Sequence, residues 1–129
     1  MRLLLDTHAW LWLGAAPEHL SAKARALLSS NETRLYLSAE SGWEMSIKQR
    51  LGRLDLGGAA ELVVPDLLLR SGVSPMSITH QHALAAGELP PHHRDPFDRM
   101  LIAQAQLEAL PIMTADAAFE MYDVERIAC

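Results

Sequence analysis

Leu3-Leu4-Leu5 is a continuous apolar run that stops at Asp6, the pattern of a strand buried on both faces of a parallel sheet. Thr7 to Gly14 then carries Trp10, Leu11 and Leu13 as a short helix that must end near Pro17. Ser21 caps a second helix, Ala22 to Ser29, in which Ala24, Leu27 and Leu28 recur at helical spacing. Arg34-Leu35-Tyr36-Leu37-Ser38 alternates as a strand, and Ser38 can cap a helix running from Ala39 to about Leu51, where Gly52 halts it. After the glycine-containing stretch Asp55 to Gly58, Pro65 interrupts an apolar segment and predicts two short helices in place of one long one.

The second half continues the alternation. Val73 to Ile78 is a weak strand, Thr79 to Glu88 a helix, and Leu89 to Arg94 a polar loop. Asp95 followed by Pro96 is the clearest helix start in the chain, with an N-cap acid, a first-position proline and an Ala- and Leu-rich run to Leu110. Pro111 to Thr114 forms a short strand that leads to Asp116, followed by a last helix and a terminal strand at Arg126 to Ala128. Strands alternating with helices at this spacing predict an α/β fold with a parallel sheet.

That topology gives two aspartates a shared address. Ligands of open α/β sheets bind beyond the carboxyl ends of the strands, and both Asp6 and Asp116 come just after a strand end. Each can also be explained as the N-cap of the next helix. Glu44 lies inside its helix, where a pair with Lys48 four residues on would contribute only ~0.2–0.5 kcal/mol. Asp98 stands three residues after Asp95, in the capping-box position, although Glu or Gln would reach back better. Taken together the four acids offer more than capping: carboxylates gathered in one cleft bind hard divalent ions and can direct water at a phosphodiester.

Composition narrows the alternatives. With 129 residues, half of them apolar and 21% charged, the chain is expected to form one globular domain. A net charge of −5 argues against a protein that grips phosphates with a basic surface. Nine Arg against two Lys leave some phosphate-binding capacity. Of these, Arg50, Arg53, Arg94 and Arg99 lie near the acids, and solvated helix charges are their commoner role. Trp10, Trp12 and Trp43 are expected in the core or at a dimer interface before base stacking. Cys129 has no intrachain partner, and Asp6 and His8 interrupt the leader-like N-terminus, so an intracellular protein without a membrane span is expected. His80 with His82 and His92 with His93 do not have the four-residue spacing that puts two imidazoles on one helix face, which disfavours zinc. No phosphate-binding P-loop, dinucleotide fingerprint or nucleophile elbow occurs.

Four segments resemble the motifs of a known family. Leu4-Leu5-Asp6-Thr7-His8-Ala9-Trp10-Leu11-Trp12, Ser41-Gly42-Trp43-Glu44-Met45-Ser46-Ile47-Lys48, Arg94-Asp95-Pro96-Phe97-Asp98-Arg99-Met100-Leu101-Ile102-Ala103-Gln104-Ala105 and Met113-Thr114-Ala115-Asp116 are similar, in order and spacing, to those of PIN-domain ribonucleases, and among them the VapC-type toxins of toxin–antitoxin pairs. The resemblance spans essentially the whole chain and implies a single PIN domain over 1–129, an α/β/α sandwich around a short parallel sheet. It implies that Asp6 and Asp98 are the principal ligands of Mg²⁺ or Mn²⁺, with Glu44 and Asp116 completing the acidic pocket. Thr114 would hold the site or the attacking water, and Asp95 would cap the helix carrying Asp98. It further implies an RNA substrate, a cognate antitoxin, a homodimer and a cytoplasmic location. Two enzyme alternatives are a housekeeping PIN nuclease of RNA processing and a metal phosphatase using the same acids. A non-enzymatic one is a regulatory binding module that acts mainly in an antitoxin complex.

Overall fold

The computed structural model describes residues Met1–Cys129. Five strands, β1 (Arg2–Leu5), β2 (Arg34–Ser38), β3 (Ser74–Met76), β4 (Ile112–Met113) and β5 (Arg126–Ile127), form one sheet in the order β3-β2-β1-β4-β5. Every pairing in it is parallel. Six α-helices cover it: α1 (Thr7–Ala15), α2 (Ala22–Ser29), α3 (Ala39–Arg50), α4 (Ala60–Ser71), α5 (His80–Glu88) and α6 (Pro96–Glu108).

Leu3, Leu4 and Leu5 have no exposed surface, because the pleat sends alternate side chains to opposite faces and both faces are covered. Leu3 and Leu5 join Trp10, Leu28, Leu37, Met45 and Val64 in one core. Leu4 joins Leu101, Ile102, Ala105, Ile112 and Phe119 in the other. Burying one such leucine is worth roughly 1.5–3 kcal/mol, so this tripeptide anchors the strand from which Asp6 emerges.

The caps predicted at Ser21, Ser38 and Asp95 are all present, each accepting a backbone N–H of the first turn. Thr79 caps α5 in the same way. Two expectations need correction. Pro65 does not split its segment: α4 is continuous, with Pro65 on an exposed face while Val64, Leu67 and Leu68 pack on the core. Packing of that face outweighs the lost i→i−4 hydrogen bond. The segment after Asp116 is a short 3-10 stretch, Ala117–Met121, and not an α-helix. No helix is long and apolar enough to cross a membrane.

Candidate active site

The order of the sheet fixes where the acids meet. From β1 the chain moves outward through β2 to β3, then returns to the other side of β1 for β4 and β5. The switch point therefore lies between β1 and β4, which are stitched together where Asp6 N–H donates to the Met113 carbonyl at 3.0 Å. Asp6 and Thr114 leave these strands side by side, and the Thr114 hydroxyl donates to Asp6 Oδ2 at 2.5 Å. Asp6 Oδ1 accepts Ala9 N–H at 2.8 Å, so the residue is both the N-cap of α1 and a wall of the cavity. Burial raises the Asp6 carboxyl above its ordinary range against these hydrogen bonds and nearby His8, and the Glu44 charge adds to the rise.

A cavity of about 400 Å³ at this edge is lined by Asp6, Glu44, Asp95, Asp98, Thr114 and Asp116, together with Thr7, His8, Trp12 and Lys48. Every residue singled out for the site in the sequence thus reaches one place, although they come from widely separated parts of the chain. Glu44 is buried on α3 and accepts the Thr7 hydroxyl at 2.6 Å and the Lys48 ammonium. Burial would push it up, but the bonds from Lys48, Thr7 and Glu40 outweigh that and hold it below the usual range. Asp98 is half-buried on the first turn of α6; desolvation and the neighbouring Asp95 push its carboxyl up to about 7. His93 opposes that rise, while Glu44 and Asp116 add to it. Asp95 caps α6 through Phe97 N–H at 2.8 Å and Asp98 N–H at 3.4 Å.

Two participants escaped the sequence reading. Glu40, four residues before Glu44, is almost fully buried, accepts the Ser41 hydroxyl at 3.2 Å and leaves Oε1 without a conventional partner. Burial, the Glu44 charge and the nearness of the Glu44 carboxylate push it up to about 9, which favours its protonated form. Its position one turn from Glu44 was the available signal. His93 lies in the loop before α6 and places Nε2 2.9 Å from Asp98 Oδ2 and 3.2 Å from Asp116 Oδ2. The spacing of the histidines does not reveal it, because its companions are aspartates brought in by the fold. His82 is elsewhere, closing the capping box of α5 and bonding Glu108.

The remaining candidates sort differently. Arg99 donates to the carbonyls of Ala86, Leu89, Pro90 and His93, so it clasps the α5–α6 loop and is neither a solvated helix charge nor a free phosphate contact. Trp10 is in the core, Trp12 stacks on His19 at the cavity rim, and exposed Trp43 meets Phe97 edge to face. On the other side of α1 a groove of about 530 Å³ is lined by Trp10, Leu13, Leu28, Leu35, Leu56 and Leu67.

The donor set fits a hard divalent cation: it is rich in carboxylate oxygens and contains no thiolate, and burial, with neighbouring carboxylates adding, pushes Asp6 and Asp98 above their ordinary range.

A parallel α/β sheet with acids converging at its switch point defines the class, and the family model for the PIN domain matches residues 3–125. The chain belongs to the PIN-domain family. Ribonuclease VapC16 of Mycobacterium tuberculosis is 38% identical over 60 residues, which cover 46% of this chain and 43% of that protein, so the match spans less than half of either. Among solved structures, VapBC2 from Rickettsia felis bound to a DNA fragment from its promoter superposes with a TM-score of 0.72 at 12% identity, covering 99% of this chain and 98% of that one. The Sarcin-Ricin loop cleaving toxin VapC20 of Mycobacterium tuberculosis gives 0.64 at 17% identity, covering 95% of each chain.

Proposed function

We propose that this chain is a divalent-metal-dependent endoribonuclease, the toxin of a toxin–antitoxin pair, acting in the cytoplasm as a homodimer. The observation that carries the reading is the convergence of Asp6, Glu44, Asp98 and Asp116 on one open cavity. Asp6 and Asp98 are assigned as principal ligands of Mg²⁺ or Mn²⁺, with Glu44 and Asp116 completing the set. A divalent ion held there would lower the pKa of a bound water and offset charge on the phosphodiester. Thr114 fixes the rotamer of Asp6 by its hydroxyl, and Asp95 fixes the start of the helix that carries Asp98. Lys48, at the cavity wall beside Glu44, adds a cation within reach of a phosphate oxygen.

The toxin assignment draws on the likeness to VapC16 and to the VapBC complex. An antitoxin would inhibit through its C-terminal segment, with an Arg or Lys entering the acidic cavity and apolar residues lying in the groove across α1. The direct test incubates purified protein with total RNA and Mg²⁺ or Mn²⁺ and maps the new ends. Cleavage is expected with either ion and lost in excess EDTA; undiminished cleavage in EDTA would remove the metal mechanism. An antitoxin truncated before its C-terminal segment should no longer silence the enzyme, and light scattering should give the dimer mass at micromolar concentration.

A further inference from the structure

His93 comes within hydrogen-bonding distance of two of the proposed ligands, and its ring nitrogens have unequal surroundings. Nε2 faces the Oδ2 atoms of Asp98 and Asp116, while Nδ1 accepts the backbone N–H of Asp95 at 3.2 Å. A ring nitrogen that accepts from an amide carries no proton, so the proton of the ring sits on Nε2, where it is donated to Asp116 Oδ2, while Asp98 Oδ2 lies close to the same nitrogen without forming a second hydrogen bond. The spacing of His93, Asp98 and Asp116, with ligand atoms all within 4.8 Å of one another, would by itself equally suit a cation held by all three. The tautomer separates these options. Coordination through Nε2 would move the proton to Nδ1, where it would confront the Asp95 N–H, and α6 would lose a hydrogen bond at its cap.

The rest of the residue is fixed as firmly as the ring. His93 N–H donates to the Tyr122 hydroxyl at 2.8 Å, its carbonyl accepts from Arg99 at 3.2 Å, and the imidazole meets Phe119 edge to face. Tyr122 in turn donates to the Pro90 carbonyl at 2.7 Å. The donor therefore sits on a braced loop between α5 and α6.

We infer that His93 is a positioning residue and not a metal ligand: one imidazole N–H, locked in direction by the Asp95 amide, holds Asp116 in place beside Asp98 so that the two acids can share a cation. This rests on the metal-nuclease reading. A carboxylate oxygen that accepts one hydrogen bond keeps a second lone pair, so the alignment leaves both acids able to ligate.

The test reads Mn²⁺ binding to the whole protein without RNA, by calorimetry, with His93→Gln as a variant that keeps an amide donor and His93→Leu as one that removes it. Removing the donor should weaken Mn²⁺ binding about tenfold, as loss of a group that orients a ligand does, and His93→Gln should stay within about threefold of wild type. Pulsed electron paramagnetic resonance of the Mn²⁺-loaded wild type should show no coupling to a coordinated imidazole nitrogen, and nitrogen NMR of the metal-free protein should show His93 protonated at Nε2. These two wild-type measurements stand even if His93→Leu fails to fold. A coordinated-nitrogen coupling abolished by His93→Gln would overturn the inference, as would equal losses in both variants or none in either. Failure of wild type to bind Mn²⁺ at all would instead sink the metal-nuclease reading and this inference with it.

Discussion

The two walls of the acidic cavity handle charge in opposite ways. On the α1–α3 wall, each carboxyl has its compensation built in: Glu44 takes a hydroxyl from Thr7 and the ammonium of Lys48, and Glu40 behind it keeps its proton. On the α6–β4 wall, Asp95, Asp98 and Asp116 crowd together with only the His93 ring between the last two, and Asp98 rises to about 7. Asp6, between the walls, is also raised. On this contrast a cation is expected to gain most at Asp6 and Asp98, the proposed principal ligands, while Glu44 is already paired with Lys48 and has less to gain. Acids lining one cavity are thus not equal as ligands; what matters is how deeply each is buried and what the protein's own donors leave over.

The strongest way to break this comparison is to neutralise one acid from each wall. Asp98→Asn and Asp6→Asn are expected to lower RNA cleavage by at least about a hundredfold and to abolish the rise in Tm on adding Mn²⁺, since each removes a carboxylate proposed to hold the ion. Glu44→Gln should cost about tenfold, because its charge is largely spent on Lys48. Asp98→Asn should also melt higher than wild type in the absence of metal, having shed a crowded carboxyl. If Glu44→Gln matched the aspartate variants in lost Mn²⁺ binding, the division between the walls would be wrong.

Lys48→Met sharpens the same contrast from the other side. It leaves the buried Glu44 carboxylate without its cation, and because the Lys48 side chain is 35% exposed the loss is discounted for solvent to about 1–2 kcal/mol in urea melts. The freed charge should then be offered to the metal, so the stabilisation by saturating Mn²⁺ should exceed that of wild type. A variant that was destabilised but gained nothing extra from Mn²⁺ would show that Glu44 does not face the ion.

The elements that build the site were legible because their signals are local. Leu3-Leu4-Leu5 ending at Asp6, Ser38 before α3, and Asp95-Pro96 before α6 each mark a boundary through burial or a cap within a few residues. The arrangement of the strands supplied the rest: once β1 and β4 are parallel, Asp6, Thr114 and Asp116 must share an edge. Legibility failed where the deciding contact is tertiary. The continuity of α4 through Pro65 depends on what packs under Val64 and Leu68, and His93 depends on two aspartates from separate elements. Glu40 was missed for a different reason: it fits the first turn of a helix so well as an acid near an N-terminus that nothing in its neighbours marks it as buried.

The smallest of the expected effects concerns pH, and it separates the two walls by where each loses stability. Glu40 and Asp98 both hold protons more tightly when folded, at about 9 and about 7 against ordinary values of 4.5 and 3.8. The native state then binds more protons than the unfolded one, so stability falls as pH rises. Asp98's contribution is complete below its unfolded value and is lost as pH climbs through about 7; that of Glu40 is lost up to about 9. Glu44, held low, acts in the opposite sense but only on the acid side of its ordinary range. Metal-free protein is therefore expected to melt clearly lower near pH 8.5 than near pH 5.5. Saturating Mg²⁺ should flatten the lower part of that slope by giving Asp98 a counter-charge, and Glu40→Gln should flatten the upper part with metal absent. Differential scanning calorimetry across this range, on wild type with and without Mg²⁺ and on Glu40→Gln, checks both arms. A slope that Glu40→Gln left untouched above neutral pH would mean that Glu40 ionises freely and is not the buried proton donor behind Glu44.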